Sequence, residues 1–420
     1  MKKHSSFLKW LIWGLAATFY FYEFVLRVSP SVMVSELMES FGITASTVGI
    51  LSAFYLYAYA PMQIPVGIVM DHFGVKKVLS IASLICGIGA VLFAATNYLS
   101  IASFGRFLIG TGSAFAFIAM IYITSHWFSL KKRAFLIGIA NSLAMLGASA
   151  GAGGPLSVLI KNFGWQRIIT ILGFFGIFLG VVIYIVFKFD NKDERVEEKT
   201  AQKDTHIFKN LQKVISKKNT WINSFAALFF YITTTAFGGL WGLSFVQTAY
   251  DVSKDVAGYA ISMIFLGWLI GGPLMGLISD LIGKRTTTIR IGIIGALICL
   301  FIVIYFPVVH IYAVYGLLFL LGLFSSAELL NFSLAIELNS FRAKATAAAF
   351  TNFVISCGDA ASQYIVGFLL DNTWSGKIVE GIRYYGTREY QIALSILPAA
   401  MIIAFFLMFF IKENKVAIEA

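Results

Sequence analysis

Charge is scarce in this sequence. Of its 420 residues, 13% are charged, 59% hydrophobic and 16% aromatic. A soluble domain carries about 25% charged residues, so this chain cannot surface the two or three soluble domains its length would make. Cysteine is nearly absent too. Cys86, Cys299 and Cys357 all fall in apolar stretches, which excludes a disulfide framework and zinc spacing. Five histidines are too few for a metal cluster. There is no Gly-x-Ser-x-Gly elbow in a soluble α/β setting and no phosphate-binding Walker loop, so neither an enzyme nor an ATP-driven pump is indicated, and no cofactor or metal is expected.

Long apolar runs fill the space left by charge. Twelve are long enough to cross about 30 Å of hydrocarbon as helices: 10–33, 46–70, 78–98, 100–123, 134–159, 167–187, 220–248, 256–279, 288–308, 311–337, 345–369 and 391–411. They lack the period-two alternation of a membrane barrel, so the predicted fold class is an all-α membrane protein with twelve transmembrane helices. Lysine and arginine set the orientation. Of 32, 24 lie in the termini and the even-numbered loops, which places both termini in the cytoplasm. The net charge of +11 is thus a topology signal, and no nucleic-acid partner is expected. The one long polar stretch, 188–219, reads as a cytoplasmic linker between residues 1–187 and 220–420. Its part 205–218 has the pattern of a short amphipathic helix at the membrane surface.

The two halves repeat. Gly67-x-x-x-Asp71-x-x-Gly74-x-Lys76-Lys77 follows the second span, and Gly276-x-x-x-Asp280-x-x-Gly283-Lys284-Arg285 follows the eighth, at an offset of 209 residues. Arg133-Ala134 and Arg342-Ala343 share that offset. A duplicated six-helix unit is a transporter plan, giving two pseudo-symmetric six-helix bundles. In the repeated loop, Gly67 and Gly276 are expected to allow close helix packing, Asp71 and Asp280 to face a basic partner, and Gly74 and Gly283 to make the turn. The loop reads as a gating latch on the cytoplasmic side.

With those motifs the chain resembles the major facilitator superfamily over its whole length. The first loop matches the family's signature between helices 2 and 3. Arg106-x-x-x-Gly110-x-Gly112 matches the helix 4 signature, and Gly147-x-x-x-Gly151-x-Gly153-Gly154-Pro155 resembles the helix 5 signature with its Gly-Pro order shifted. Phe21-Tyr22-Glu23-Phe24-x-x-Arg27-x-Ser29-Pro30-Ser31 and the span 2 string from Ser52 to Gly67 are similar to a bacterial group that includes phagosomal amino-acid transporters. The resemblance implies alternating access by rocking bundles around a midplane cavity, in a bacterial inner membrane.

Ionisable residues inside spans are costly, so each is a functional candidate. Glu23 and Arg27 sit at i, i+4 on span 1, with Tyr20 a turn back. Arg27 offers a planar fork to a carboxylate. Glu23 suits an ammonium or a proton whose residence changes with its surroundings. Arg106, Glu328 with Asn331 on one face, and Asp359 between Ser356 and Gln363 complete the charged set. Tyr55, Tyr59, Asn141, Tyr231 and Trp241 are candidate cavity groups, while Glu337 is expected to pair with Arg342 or Lys344. Substrate contact is therefore assigned to Arg27, Glu23, Tyr20, Tyr55, Tyr59, Arg106, Asn141, Trp241, Glu328, Asn331 and Asp359. Proton coupling is assigned to Glu23, Arg106, Glu328 or Asp359. The expectation is a monomeric, proton-coupled importer of a small zwitterion or organic anion, amino acids favoured; the alternative is a proton-antiport exporter of drugs or metabolites.

Overall fold

The computed structural model describes residues 6–63, 65–188, 207–306, 310–340, 343–411 and 413. The polar segment 189–206 and Arg342 lie outside the described residues, as does the side chain of Asp71.

The first half runs α1 (Ser6–Val28), a 3₁₀ turn (Ser29–Val32), α2 (Val34–Phe41), α3 (Ala45–Met62), α4 (Val66–Ala94), α5 (Leu99–Ser113), α6 (Ala116–Trp127), α7 (Leu130–Gly151), α8 (Gly154–Phe163) and α9 (Trp165–Lys188). A short helix follows, α10 (Ile207–Ile215). The second half runs α11 (Lys218–Ile232), a π-helical stretch (Thr233–Trp241), α12 (Gly242–Ala249), α13 (Lys254–Ile282), α14 (Arg285–Tyr305), α15 (Ile311–Ser325), a 3₁₀ turn (Ser326–Leu329) and α16 (Leu330–Glu337). It ends with α17 (Lys344–Thr373), a two-stranded ribbon β1 (Ile378–Val379) and β2 (Ile382–Arg383), α18 (Thr387–Leu394) and α19 (Ile396–Leu407). Among the described residues, eleven stretches are long and apolar enough to cross a membrane, twelve when α2 and α3, which meet at 106°, count as one. Their length follows from bilayer thickness and their helicity from the absence of water to satisfy backbone groups.

Several spans are broken where the sequence weakens the helix. Pro30 sits in the 3₁₀ turn after α1, and Pro155 starts α8 just beyond the Gly151 break. The two repeated glycines share a positive φ but differ in ψ: Gly74 (ψ 151°) kinks α4, whereas Gly283 (ψ 17°) caps α13. Gly74 has φ +75° and Gly283 has φ +68°, a region where a Cβ is strained. Most of the first loop is nonetheless helical: α4 begins at Val66 and bends only at Gly74. Gly67 and Gly276 do not serve close packing, because a Cβ on either would meet no atom within 4 Å.

Close approaches occur within each bundle, as at Gly110 and Gly322, and also between the bundles at the end remote from the basic loops. A Cβ on Gly49 would come within 2.4 Å of the Gln363 carbonyl oxygen, and one on Gly367 within 2.5 Å of the Ala45 carbonyl oxygen. Between α7–α8 and α13, Ser262 Oγ donates to the Ser149 carbonyl at 2.9 Å. Charges reinforce that seal. Asp371 on α17 accepts from the Ser46 amide at the start of α3, 2.9 Å, where the helix end is positive. Lys161 pairs with Asp255 at 2.9 Å, and Lys254 with Glu36.

At the basic end, Asp280 pairs with Arg285 of its own loop at 2.5 Å. Glu337 also meets Arg285, at 3.3 Å; Arg342, one of the two partners expected for it from sequence, lies outside the described residues. The helix expected near 205–218 forms as α10. It sits on protein: its Val214 is fully buried with Ala335, Ala347, Phe350 and Val354 of the second bundle.

Candidate functional site

Between the bundles lies a cavity of about 40 Å³, room for a few water molecules. Phe24, Arg27 and Val28 of α1 and Met145 of α7 line it from the first bundle. Tyr231, Thr234, Thr235 and Gly239, Phe265 and Trp268 of α13, and Asp359 and Gln363 of α17 line it from the second.

Helix α1 delivers the cation. Arg27 Nη2 reaches Asp359 Oδ2 at 3.7 Å, so the pair spans the two bundles. The guanidinium lies 5.1 Å from the Tyr59 ring centre and 5.6 Å from those of Tyr55 and Phe24. Three ring faces around one cation hold it in a partly desolvated position. Its side chain is 12% exposed, whereas that of Asp359 is 1% exposed. Asp359 Oδ1 also accepts from Gln363 Nε2 at 3.1 Å.

The second wall owes its shape to the π-helical stretch. Thr233, Thr234 and Thr235 are β-branched, and Gly238 and Gly239 lack side chains, so this run holds an α-helix poorly. The wider turn is a common functional-site feature. It sets Thr234 and Thr235 on the cavity, where Thr234 Oγ1 accepts from Trp268 Nε1 at 3.1 Å. Sequence reading did not single out Thr234, Thr235 or Trp268. The only signal was the Thr-Thr-Thr run followed by Gly-Gly inside a span.

Glu23 does not turn toward the cavity. It is 1% exposed and accepts from Tyr55 Oη at 3.1 Å. Although Glu23 and Arg27 are one turn apart, each finds its closer polar partner on another helix. Tyr55 and Tyr59 are stacked, their ring centres 5.6 Å apart, and form the floor beneath Arg27. Tyr20 sits just behind, donating to Asn141 Oδ1 at 3.3 Å.

Arg106 does not line the cavity either. It donates to the carbonyls of Leu26 at 2.8 Å, Arg27 at 3.2 Å and Ser52 at 3.4 Å, joining α5 to α1 and α3. Trp241 is fully buried and donates to the Gln363 carbonyl at 3.1 Å, bracing α17 from behind. Glu328 and Asn331 are buried within the second bundle and away from the cavity lining. There Asn331 Nδ2 donates to the Glu328 carbonyl at 3.0 Å, and Glu328 Oε1 has no hydrogen-bond partner among the described residues. Of the residues assigned from sequence to substrate contact, Arg27 and Asp359 line the cavity and Tyr55 and Tyr59 border it through Arg27.

Two bundles of membrane-spanning helices meet around a cavity bridged by an ion pair, the architecture of a membrane transporter. The chain belongs to the Major Facilitator Superfamily, whose family model matches residues 12–358 and 223–418. It is 28% identical over 295 residues to a probable sulfoacetate transporter of Cupriavidus necator, covering 67% of each chain. It is 24% identical over 273 residues to a probable L-galactonate transporter of Escherichia coli, covering 61% of this chain and 58% of that one. A probable galactarate/D-glucarate transporter of Bacillus subtilis is 23% identical over 283 residues, covering 62% of each. Among solved structures, a bacterial homologue of the human lysosomal transporter Spinster, inward-facing and unoccupied, superposes with a TM-score of 0.75. The identity is 16%, covering 97% of this chain and 96% of that one. That likeness is one of fold. The amino-acid cargo expected from the resemblance of spans 1 and 2 finds no support in these relatives, whose names specify organic acids.

Proposed function

We propose that this protein imports a small organic anion across a bacterial cytoplasmic membrane by alternating access, driven by a proton gradient, with both termini inside. The observation that carries this reading is Arg27: a guanidinium held by aromatic faces on the cavity wall. Its fork suits a carboxylate or sulfonate. The hydroxyl-bearing residues Thr234, Thr235 and Tyr231 stand opposite, suited to the polar remainder of such an acid. The names of the relatives, sulfoacetate, galactonate and galactarate or glucarate, support the same class. The seal at the end remote from the basic loops supports alternating access, since the bundles must part there to admit cargo from outside.

Purified protein reconstituted in liposomes tests this. Labelled sulfoacetate, L-galactonate and glucarate are offered with an inward proton gradient, beside a set of amino acids. Accumulation of at least one organic acid, abolished when the gradient is collapsed, is the expected result. Accumulation of amino acids alone returns the assignment to a zwitterion carrier, and uptake indifferent to the gradient removes proton coupling.

A further inference from the structure

The cavity contains one cation and one anion, and they hold each other. We infer that Asp359 is a tethered competitor for the anion site: arriving substrate displaces it from Arg27, and the freed carboxylate takes a proton from water, so that binding each anion loads one proton. This inference rests on the organic-anion reading above.

Space and charge both point to displacement. A cavity of about 40 Å³ has no room for an organic acid beside an intact Arg27–Asp359 pair. Among the described residues, Arg27 is the only lysine or arginine on its lining. While the pair stands, the cavity is neutral. A second anion would leave one negative charge unbalanced within the membrane-spanning region, where an unpaired charge is unfavourable. Asp359 is 1% exposed, so solvent does little to screen its charge. Protonation restores neutrality with atoms balanced: the ion pair opens, the substrate acid group takes its place on Arg27, and one aqueous proton bonds to Asp359 Oδ2.

The neighbours leave the proton no closer host. Facing Asp359 are Arg27 of α1, Tyr231 and Thr235 of the second bundle, and Gln363 of its own helix. Tyr55 and Tyr59 of α3 flank Arg27 from behind. The arginine stays charged and the tyrosines stay neutral at working pH. Gln363 Nε2 donates to Oδ1 and the Thr235 hydroxyl also bonds the carboxylate, while Oδ2 is the oxygen facing Arg27 and carries the proton once the arginine is taken. Glu23 and Glu328 line no part of this cavity. Because the pair bridges α1 and α17, its opening also loosens the join between bundles, so loading and rocking share one contact.

The test is calorimetric titration of the purified protein with L-galactonate and, separately, sulfoacetate, in buffers of differing ionisation enthalpy, which counts protons taken up per anion. Wild type is expected to take up one more proton per anion than Asp359→Asn. Asp359→Asn is expected to bind the anion as tightly as wild type or tighter, with affinity indifferent to pH. In liposomes it should exchange anion for anion but fail to accumulate it on a proton gradient. Asp359→Glu keeps the carboxyl and should retain proton uptake. Unchanged proton uptake in Asp359→Asn overturns the inference alone. So does loss of anion binding by an Asp359→Asn protein that remains monodisperse with wild-type helicity, since that outcome makes Asp359 a substrate holder. Failure of wild type to bind either acid overturns the organic-anion reading beneath it.

Discussion

Arg106 donates to three main-chain carbonyls on two neighbouring helices, while Arg27 offers its fork to the cavity and gives Asp359 a single contact at 3.7 Å. Both are basic residues inside spans, yet their partners assign them different work. Hydrogen bonds from a charged donor contribute about 1.5–3 kcal/mol each, and leaving a buried carbonyl unpaired costs a comparable amount. Arg106→Ala is therefore expected to lower thermal stability in detergent by several degrees and to reduce folded yield, which a melting curve and size-exclusion profile will show. A variant with wild-type melting would remove the clamp role. Arg27→Lys keeps a cation but loses the planar fork and much of its fit to the ring faces. It is expected to retain its melting temperature while the apparent affinity for the anion falls about 10- to 100-fold, as measured by uptake against concentration. Sequence marked both arginines as site candidates because a charge inside a span is visible in the letters. Which one faces the cavity was not legible, since that depends on whether carbonyls from other helices converge on the guanidinium. The i, i+4 spacing of Glu23 and Arg27 misled for the same reason. Tyr55 and Asp359, distant in sequence, take the two charges apart.

At the scale of elements, glycines and π-helical geometry do what side chains cannot. Gly49 leaves the Gln363 carbonyl of the facing bundle so near that a Cβ would sit 2.4 Å from it. Gly49→Leu is expected to hold the bundles apart at the sealed end. Transport should fall to background while a cysteine placed at Ser46 labels faster with an impermeant maleimide than in a Gly49 protein. Equal labelling would show that the seal does not depend on this approach. The helix α10 tests a second contact. Val214 is buried against the second bundle, so Val214→Asp, which places a charge in that apolar contact, should destabilise the protein by about 2 kcal/mol or more, read as a lower melting temperature. Most of this element-level structure follows from patterns in the chain. The span count, the duplicated loop and its two left-handed glycines come from hydrophobic run length and the 209-residue offset. The π-helical stretch does not, because a Thr-rich, Gly-containing segment has weak preference of its own and takes its geometry from packing around Trp241 and Trp268. The contact made by α10 was hidden too, as an amphipathic face looks alike whether it meets lipid or protein.

For the whole molecule, two half-chains of similar sequence enclose a cavity whose two walls differ. The first bundle supplies the cation and its aromatic bed; the second supplies hydroxyls and the carboxylate. The repeat runs through the frame, and the cavity lining sits where the halves differ. The 209-residue offset shows how far: Arg27 falls opposite Ala236, which lies in the π-helical stretch. We place the organic anion in the space in front of Arg27. A single cysteine at Thr234, in a protein whose Cys86, Cys299 and Cys357 are replaced by serine or alanine, reports on that space. The rate of alkylation by a membrane-permeant maleimide is measured with and without L-galactonate or sulfoacetate. One of these acids is expected to slow labelling at least severalfold, and Arg27→Gln in the same background to abolish the protection. Labelling untouched by every acid, or protected equally without the arginine, would contradict that placement.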